Sequence, residues 1–381
     1  MKRMHYCIII TMIELCWLFN PCVLTAEQGW ENRDEAIQSL DELIETTKKE
    51  MDMINLFVTT AGRRPQKLNN APSSISVITS EDIKASGATQ IAEALIMLSG
   101  VDITYTTTTS PLRGGIRGFE KLPTNKILLM IDGVPWMFHT YGFPMFNFMP
   151  IGLDDIERIE VLKGPGSSLY GPNAMFGLIN IITKKSKDSL GFHSSLRAGE
   201  WHTRIEDVKY NGSIGENLSY GISAGLNMIG NPDYVSWNSE PSQKNWKTYS
   251  TMEYNFSKNA SLSVTGGYLK ANRMVNVMES TGPIDWSGMD SYIASVSYQL
   301  QQPNLKLTGY IEDKNQNQGW SLGENNLFFP EGAWAVEFQH EFVPFKNNRF
   351  LWGGNVTHQY SNEPAIQDRS HNLYGSFFDN T

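Results

Sequence analysis

Only three of the 381 residues are cysteines, and Cys7, Cys16 and Cys22 all fall near the N-terminus. The rest of the chain therefore has no means of making a disulfide or a thiolate metal site. Past the N-terminus no run of eighteen or more apolar residues occurs, which excludes an internal transmembrane helix. No block of Lys and Arg is present and the formal net charge is −9, so the basic footprint of a nucleic-acid binder is missing. Heptads and Gly-x-y repeats are absent while aromatics are plentiful, which excludes coiled coil, collagen and bulk disorder. None of these absences excludes a β-barrel membrane protein. The length suffices for about two domains at ~150 residues each.

What is present begins with an export signal over residues 1–26. Lys2 and Arg3 precede a mostly apolar stretch from Tyr6 to Leu24, and Thr25-Ala26 offers small residues for cleavage. The alternatives are a retained membrane anchor and a lipid anchor at Cys22, the latter disfavoured by Phe19-Asn20-Pro21. Residues 27–53 are acidic and polar. Ile37, Leu40 and Ile44 give a weak amphipathic helix pattern there, in a segment that reads equally as a mobile tether.

From residue 62 to 185 the texture is that of a compact α/β module. Ile75-Ser76-Val77-Ile78 predicts a strand, and Thr79-Ser80-Glu81-Asp82 starts a helix with Ser80 as N-cap. A second helix starts in Thr89-Gln90-Ile91 and stops at Gly100. Lys126 to Ile131 predicts a buried strand closed by the turn pair Asp132-Gly133, and strands are expected at 156–161 and 179–183. The glycines of Lys163-Gly164-Pro165-Gly166-Ser167-Ser168-Leu169 do not make a nucleotide site. The sixth position of G-x-G-x-x-G is Leu169, no G-K-[ST] follows, and Pro165 lacks the N–H a phosphate cradle would use.

From residue 190 to 381 a different period takes over. Leu218, Tyr220, Ile222, Ala224, Leu226 and Met228 alternate with Ser219, Gly221, Ser223, Gly225 and Asn227. Tyr292, Ala294, Val296, Tyr298 and Leu300 repeat the pattern, as do Trp334, Val336, Phe338 and Phe342 against Ala335, Glu337, Gln339 and Glu341. One apolar and one polar face over about ten residues is the signature of a transmembrane β-strand. About ten such segments are expected, near 190–199, 204–214, 217–228, 246–256, 260–270, 290–301, 304–314, 333–343, 348–360 and 370–378. Short turns at 215–217, 257–259, 302–303 and 344–347 alternate with longer stretches at 229–245, 271–289 and 315–332. That puts the short turns at one rim and most long loops at the other.

The α/β module carries five blocks in order. They are Ala71-Pro72-Ser73-Ser74-Ile75-Ser76-Val77-Ile78-Thr79, Arg113-Gly114-Gly115-Ile116-Arg117-Gly118-Phe119, Ile131-Asp132-Gly133-Val134-Pro135, Asp155 through Gly171, and Gly177-Leu178-Ile179-Asn180-Ile181-Ile182-Thr183. This resembles the plug domain of TonB-dependent outer-membrane receptors. The expected fold is thus an antiparallel up-and-down membrane β-barrel with an N-terminal α/β plug. About ten strands stand where such plugged barrels have ~22, so the sequence reads as a fragment. The plug motif residues implied are Arg113, Gly114, Arg117, Gly118, Asp132, Gly133, Glu157, Arg158, Glu160, Gly164, Gly166, Tyr170 and Gly171. Glu157 and Arg158 are expected to make polar contacts with the barrel lumen.

The resemblance further implies export to a Gram-negative-type outer membrane and active uptake of a scarce, bulky metal chelate or vitamin-like solute. The partners implied are the energy-transducing TonB complex and outer-membrane lipid. The candidate TonB contact lies within residues 54–61, at Asn55, Leu56, Phe57, Val58, Thr59, Thr60 and Ala61, whose β-branched and aromatic residues suit strand addition. The alternative is that 56–60 is simply the first strand of the plug. Tyr105, Trp136, Met137, Phe138, His139 and Tyr141 in the plug, with Trp237, Trp286 and Trp320 in the long barrel loops, are the candidate ligand contacts. No catalytic arrangement, metal-ligand set or cofactor motif is evident, and a non-energised binding protein or passive pore of the same fold is the alternative function.

Overall fold

A computed structural model describes residues 56–71, 73–107, 110–118, 126–139, 143–144, 146, 148–200, 203–229, 243–278, 282–320, 326–345, 348–362 and 369–380. Residues 1–55, with the predicted export signal, acidic tether and Asn55, lie outside this set, as do Tyr141 and Trp237.

The α/β module is built on a mixed five-stranded sheet. Its strands, in chain order, include β1 (Ile75–Thr79), β2 (Val101–Thr107), β3 (Ser110–Ile116), β4 (Ile127–Ile131), β5 (Val134–Pro135), β6 (Ile156–Lys163) and β7 (Gly177–Thr183). The sheet order is β1-β6-β7-β4-β5, with β2 and β3 forming a separate hairpin. β4 and β7 run parallel, and all five residues of β4 are buried, as the unbroken Ile-Leu-Leu-Met-Ile run requires of a strand covered on both faces. The turn from β4 to β5 holds Asp132 at φ 50 and Gly133 at φ 85. A two-residue hairpin needs positive φ at both positions, which Asp-Gly tolerates.

Two short helices, α1 (Ser80–Ala85) and α2 (Ile91–Ile96), follow β1. The cap of α1 falls one residue earlier than predicted. Thr79, not Ser80, accepts the Asp82 N–H on its hydroxyl, and the Asp82 carboxylate accepts the Thr79 N–H at 3.1 Å in return. Ser80 instead donates to Glu81. In α2 the buried Ile91, Ala92, Ala94 and Leu95 face the sheet core.

The second part is a ten-stranded antiparallel sheet in strict chain order. It comprises β8 (Gly191–Ala198), β9 (Arg204–Ile214), β10 (Leu218–Ile229), β11 (Gln243–Ser257), β12 (Ala260–Met278), β13 (Gly282–Gln301), β14 (Asn304–Trp320), β15 (Asn326–Phe345), β16 (Asn348–Ser361) and β17 (Arg369–Asn380). All ten predicted segments are strands. The predicted long loops need correction, because β12 and β13 continue through most of 271–289 and β14 and β15 through most of 315–332. Nine to eleven residues cross a bilayer, so strands of 17 to 20 residues project well past one face. Across 271–289 and 315–332 the sequence does not keep the strict alternation that marks the other segments.

The two faces of this sheet differ in chemistry. Val208, Ile222, Met252, Val296, Leu307, Ile311, Val336 and Val356 lie exposed on the outer face. Exposed aromatics edge that face in two rows, Tyr254, Phe256, Phe342 and Trp352 near the short turns, and Trp246, Tyr268, Tyr292 and Trp334 further along. Eight residue steps separate Trp334 from Phe342, roughly 26 Å along a strand and about 20 Å in height at a barrel strand's tilt of about 40°, comparable with a hydrocarbon band about 25 Å tall between aromatic girdles. The opposite face carries Asp207, Asn211, Ser223, Asn245, Lys247, Ser291, Glu312, Lys314, Glu331 and Thr357, all buried against or beside the α/β module.

Candidate functional site

The α/β module is seated on the inner face of the sheet by ties to successive strands. Asp154 accepts from Ser195 on β8 and pairs with Arg197 at 2.6 Å. Asp155 caps its own turn through the Gly152 N–H, accepts from Ser223 on β10 at 2.8 Å and pairs with Lys209 on β9 at 3.1 Å. Asp132 accepts from the Thr183 N–H and hydroxyl and from the Tyr249 hydroxyl of β11 at 3.0 Å. Close approach is built into the backbone here, since a Cβ on Gly152 would stand 2.8 Å from Asp207. Burial pushes the Asp154 carboxyl up, and Ser195 and Arg197 more than reverse this, leaving it below the usual carboxylate range.

An apolar patch adds to these ties. Phe146, Phe148, Met149 and Ile151 join one buried cluster with Tyr249, Leu269, Ala271, Met289 and Ile293 of the wall. Beside it His139 reaches β14 and β15. Its Nε2 lies 2.6 Å from Glu312 and its backbone N–H donates to Glu331 at 3.1 Å. Lys314 donates to the other oxygen of Glu312 at 2.5 Å and lies over the Trp136 ring at 4.5 Å from its centroid. The buried Lys314 and Glu312 of the wall thus neutralise each other beneath the seated module.

The stretch leading into the module is held as well. Val58, Thr60 and Ala61 are buried. One oxygen of Glu160, a fully buried carboxylate on β6, accepts the N–H groups of Thr59 at 3.0 Å and Thr60 at 2.9 Å and the Thr60 hydroxyl at 2.5 Å. Its other oxygen accepts from Arg158 Nε at 2.9 Å. Next along the chain Arg63 pairs with Glu337 at 2.7 Å, its guanidinium lying between the rings of Tyr170 and Phe377, and Arg64 pairs with Glu341 at 3.1 Å.

The module pinned by carboxylates and cations to this wall has a family match of its own. The TonB-dependent receptor plug domain covers residues 67–178. Residues 67–178 are a TonB-dependent receptor plug. The chain is 36% identical over 156 residues to a vitamin B12 transporter, BtuB, of Vibrio vulnificus, covering 40% of this chain and 24% of that protein. It is 28% identical over 219 residues to the ferric enterobactin receptor PirA of Pseudomonas aeruginosa, covering 52% and 28%. The matches therefore span about a quarter of the length of these relatives. Among solved structures, the alcaligin outer-membrane receptor FauA of Bordetella pertussis superposes with a TM-score of 0.66 at 13% identity, covering 85% of this chain and 55% of that one. A ferripyoverdine receptor of P. aeruginosa gives 0.59 at 17%, covering 80% and 45%. The ten-stranded wall thus has the fold of this family's barrels.

The plug motif residues then sort by position. Asp132-Gly133 is the hairpin turn and the tie to Tyr249. Gly164 (φ 147) and Gly171 (φ 77) occupy turn backbone that favours glycine, and Gly166 hydrogen-bonds Ala174. Arg117 and Gly118, both with positive φ, follow the β2–β3 hairpin, and Arg113-Gly114 lie within β3. The expectation that Arg158 meets the barrel lumen is corrected: it pairs inside the plug, with Glu157 and Glu160. Glu157 also lines a cavity shared with Ser195, Arg197 and Lys209 of the wall.

Of the candidate ligand contacts, Trp136, Met137 and Phe138 are buried, and the Trp136 indole donates to the Phe148 carbonyl at 2.6 Å. They fill the core in this structure, a use that aromatic composition does not separate from ligand stacking. His139 docks on the wall. Tyr105, Trp286 and Trp320 sit on strands β2, β13 and β14. The wall partners Glu312, Lys314 and Glu331 were not singled out from sequence, because charge recurs along the same polar faces, at Lys306 on β14 and at Glu337 and Glu341 on β15.

Proposed function

We propose that this chain supplies the plug and a run of barrel wall of an outer-membrane receptor that takes up a scarce metal chelate or vitamin-like solute, with energy delivered by TonB. The observation that carries this reading is the seating of the plug. It is held to the wall mainly by ion pairs and hydrogen bonds, which water can replace stepwise, beside one limited apolar patch. Such an interface suits a plug that stays in place at rest and is displaced by pulling on its N-terminal end. The apolar outer face between two aromatic rows supports an outer-membrane location. The ligands for which these relatives are named, vitamin B12 and ferric enterobactin, support the solute class.

Residues 54–61 are proposed as the TonB contact, reached after release of 58–61 from the plug. Of the ligand candidates, Tyr105, Tyr141, Trp237, Trp286 and Trp320 are kept in the proposal. Deleting residues 54–61 tests it in cells. Uptake should vanish while binding of a ferric siderophore, cobalamin or haem by outer membranes persists. Uptake unaffected by the deletion would instead mark a passive pore.

A further inference from the structure

Glu160 stands out among the buried charges of the plug, because most of its hydrogen bonds lead to a segment outside the sheet that carries it. The residue sits in the middle of β6, the second strand of the plug sheet, opposite Val77 on β1 and Asn180 on β7. A carboxylate at such a position is costly unless every lone pair is met. Within the sheet it obtains one donor, Arg158. The remaining donors come from Thr59 and Thr60, about a hundred residues earlier in the chain, converging on one oxygen. Asn180 completes the grip by donating to the Thr60 hydroxyl at 3.4 Å while its own carbonyl accepts the Gly133 N–H. Thr60 and Val58 are fully buried as a result.

We infer that Glu160 is a latch that holds residues 58–61 against the plug and governs how readily the segment leaves it. The physical reason is reciprocal. If the segment departs, Glu160 loses its backbone donors while buried, so the departed state is penalised until water reaches the carboxylate. Thr59 and Thr60 give the carboxylate two consecutive backbone N–H groups; an added strand takes alternate N–H groups along one edge, so its ladder would need one of these two. The latch and a strand-adding partner therefore compete for a shared donor. Residues 58–61 cannot satisfy both, and weakening the latch raises the fraction of chains open to the partner. The meaning of the latch for uptake rests on the function proposed above; the latch itself does not.

The test uses the full chain in outer-membrane vesicles, with Cys7, Cys16 and Cys22 replaced by Ser and a single Val58→Cys reporter. Thiol labelling should be slow in this parent. Glu160→Gln, which keeps shape and removes charge, should speed labelling about tenfold, the factor that 1.4 kcal/mol of lost hydrogen bonding gives. Thr60→Val, nearly isosteric, should speed it about threefold by removing the hydroxyl that donates to Glu160 and accepts from Asn180, while the backbone donors stay. Glu157→Gln should leave it unchanged, since Glu157 touches Arg158 but not the segment. An Ala92→Cys reporter in the buried face of α2 reads general opening of the plug and should stay slow in every variant. Unchanged labelling of Val58→Cys in both Glu160→Gln and Thr60→Val, or equal acceleration at both reporters in both variants, would overturn the latch. In parallel, capture of the vesicles by the purified periplasmic domain of TonB should rise with Glu160→Gln; faster labelling with unchanged capture would overturn control of partner access. Labelling needs no transport, so its failure and a failure of the uptake reading are read separately.

Discussion

Plug and wall solve the burial problem in opposite ways. The plug turns its apolar side chains inward, where Leu129, Ile156, Ile159, Ile181 and Leu95 are buried almost completely around one sheet. The wall turns its own outward, so that Ile222, Val296, Val336 and Tyr374 are among its more exposed residues. In the plug, removing apolar surface from water supplies stability within the chain. In the wall the same surface contributes only when lipid covers it, and what the wall provides by itself is the backbone ladder, closed strand to strand. One polypeptide thus contains a region that folds against itself and a region that folds against a solvent.

The largest effect should come from hollowing the plug. Leu129→Ala removes three heavy atoms' worth of contact from a strand buried on both faces and should cost about 2–5 kcal/mol. It is measured as the shift in the plug's denaturant midpoint by near-ultraviolet circular dichroism. An effect below about 0.5 kcal/mol would mean that the plug depends on the wall rather than on its own core. The next effect sharpens the other side of the comparison. Val336→Arg on the outer face should cost about 2–4 kcal/mol in lipid vesicles. The same substitution should be nearly silent on the detergent-free, unfolded chain. If its cost in vesicles is near zero, that position does not face hydrocarbon.

Where the two regions meet, pH becomes a lever. Asp154 titrates below the ordinary carboxylate range in the seated plug, through Ser195 and Arg197 working against burial. A carboxyl with a depressed folded value binds protons more weakly than in the unfolded chain. Its contribution is full above the unfolded value and is lost as pH falls through the folded one. Asp154→Asn should therefore cost roughly 1.5 kcal/mol at neutral pH, because charge-assisted bonds to Arg197 and Ser195 go. The penalty should shrink toward zero in acid, read from denaturant midpoints between neutral and strongly acidic pH. A cost that does not change with pH would remove Asp154 from the acid response.

How far each region was legible follows from the same contrast. The wall was legible because an apolar outer face and a polar inner face impose a period of two, and all ten segments were found by it. Its extensions were not, since polar Asn272 and Arg273 stand side by side there and apolar Met274 and Val275 follow side by side, so the alternation lapses although the strand continues. The plug strands showed as apolar runs, and the Asp132-Gly133 turn announced itself. The site was less legible. Trp136 and Phe138 have the composition of a stacking surface and the burial of a core, and sequence carries only the first. Nor does spacing along the chain connect Glu160 with Thr60, or His139 with Glu312; those pairs exist only through the fold.

The smallest effect tests the finest point at which reading and structure part. Thr79-Ser80 offers two hydroxyls next to each other at the start of α1, both acceptable as N-caps. Sequence favoured Ser80, but the reciprocal bonds between Thr79 and Asp82 select Thr79. The choice follows from register: β1 continues through Thr79, paired with Arg158, so the extended backbone a cap requires is already imposed there by the sheet. Ser80, one step on, is inside the first turn, where its hydroxyl reaches only Glu81 at the surface. Thr79→Ala should then destabilise the plug by about 1 kcal/mol, while Ser80→Ala stays within about 0.5 kcal/mol. Equal costs in the two variants, from the same denaturation curves used for Leu129→Ala, would return the cap to Ser80 and weaken the claim that the sheet sets where the helix begins.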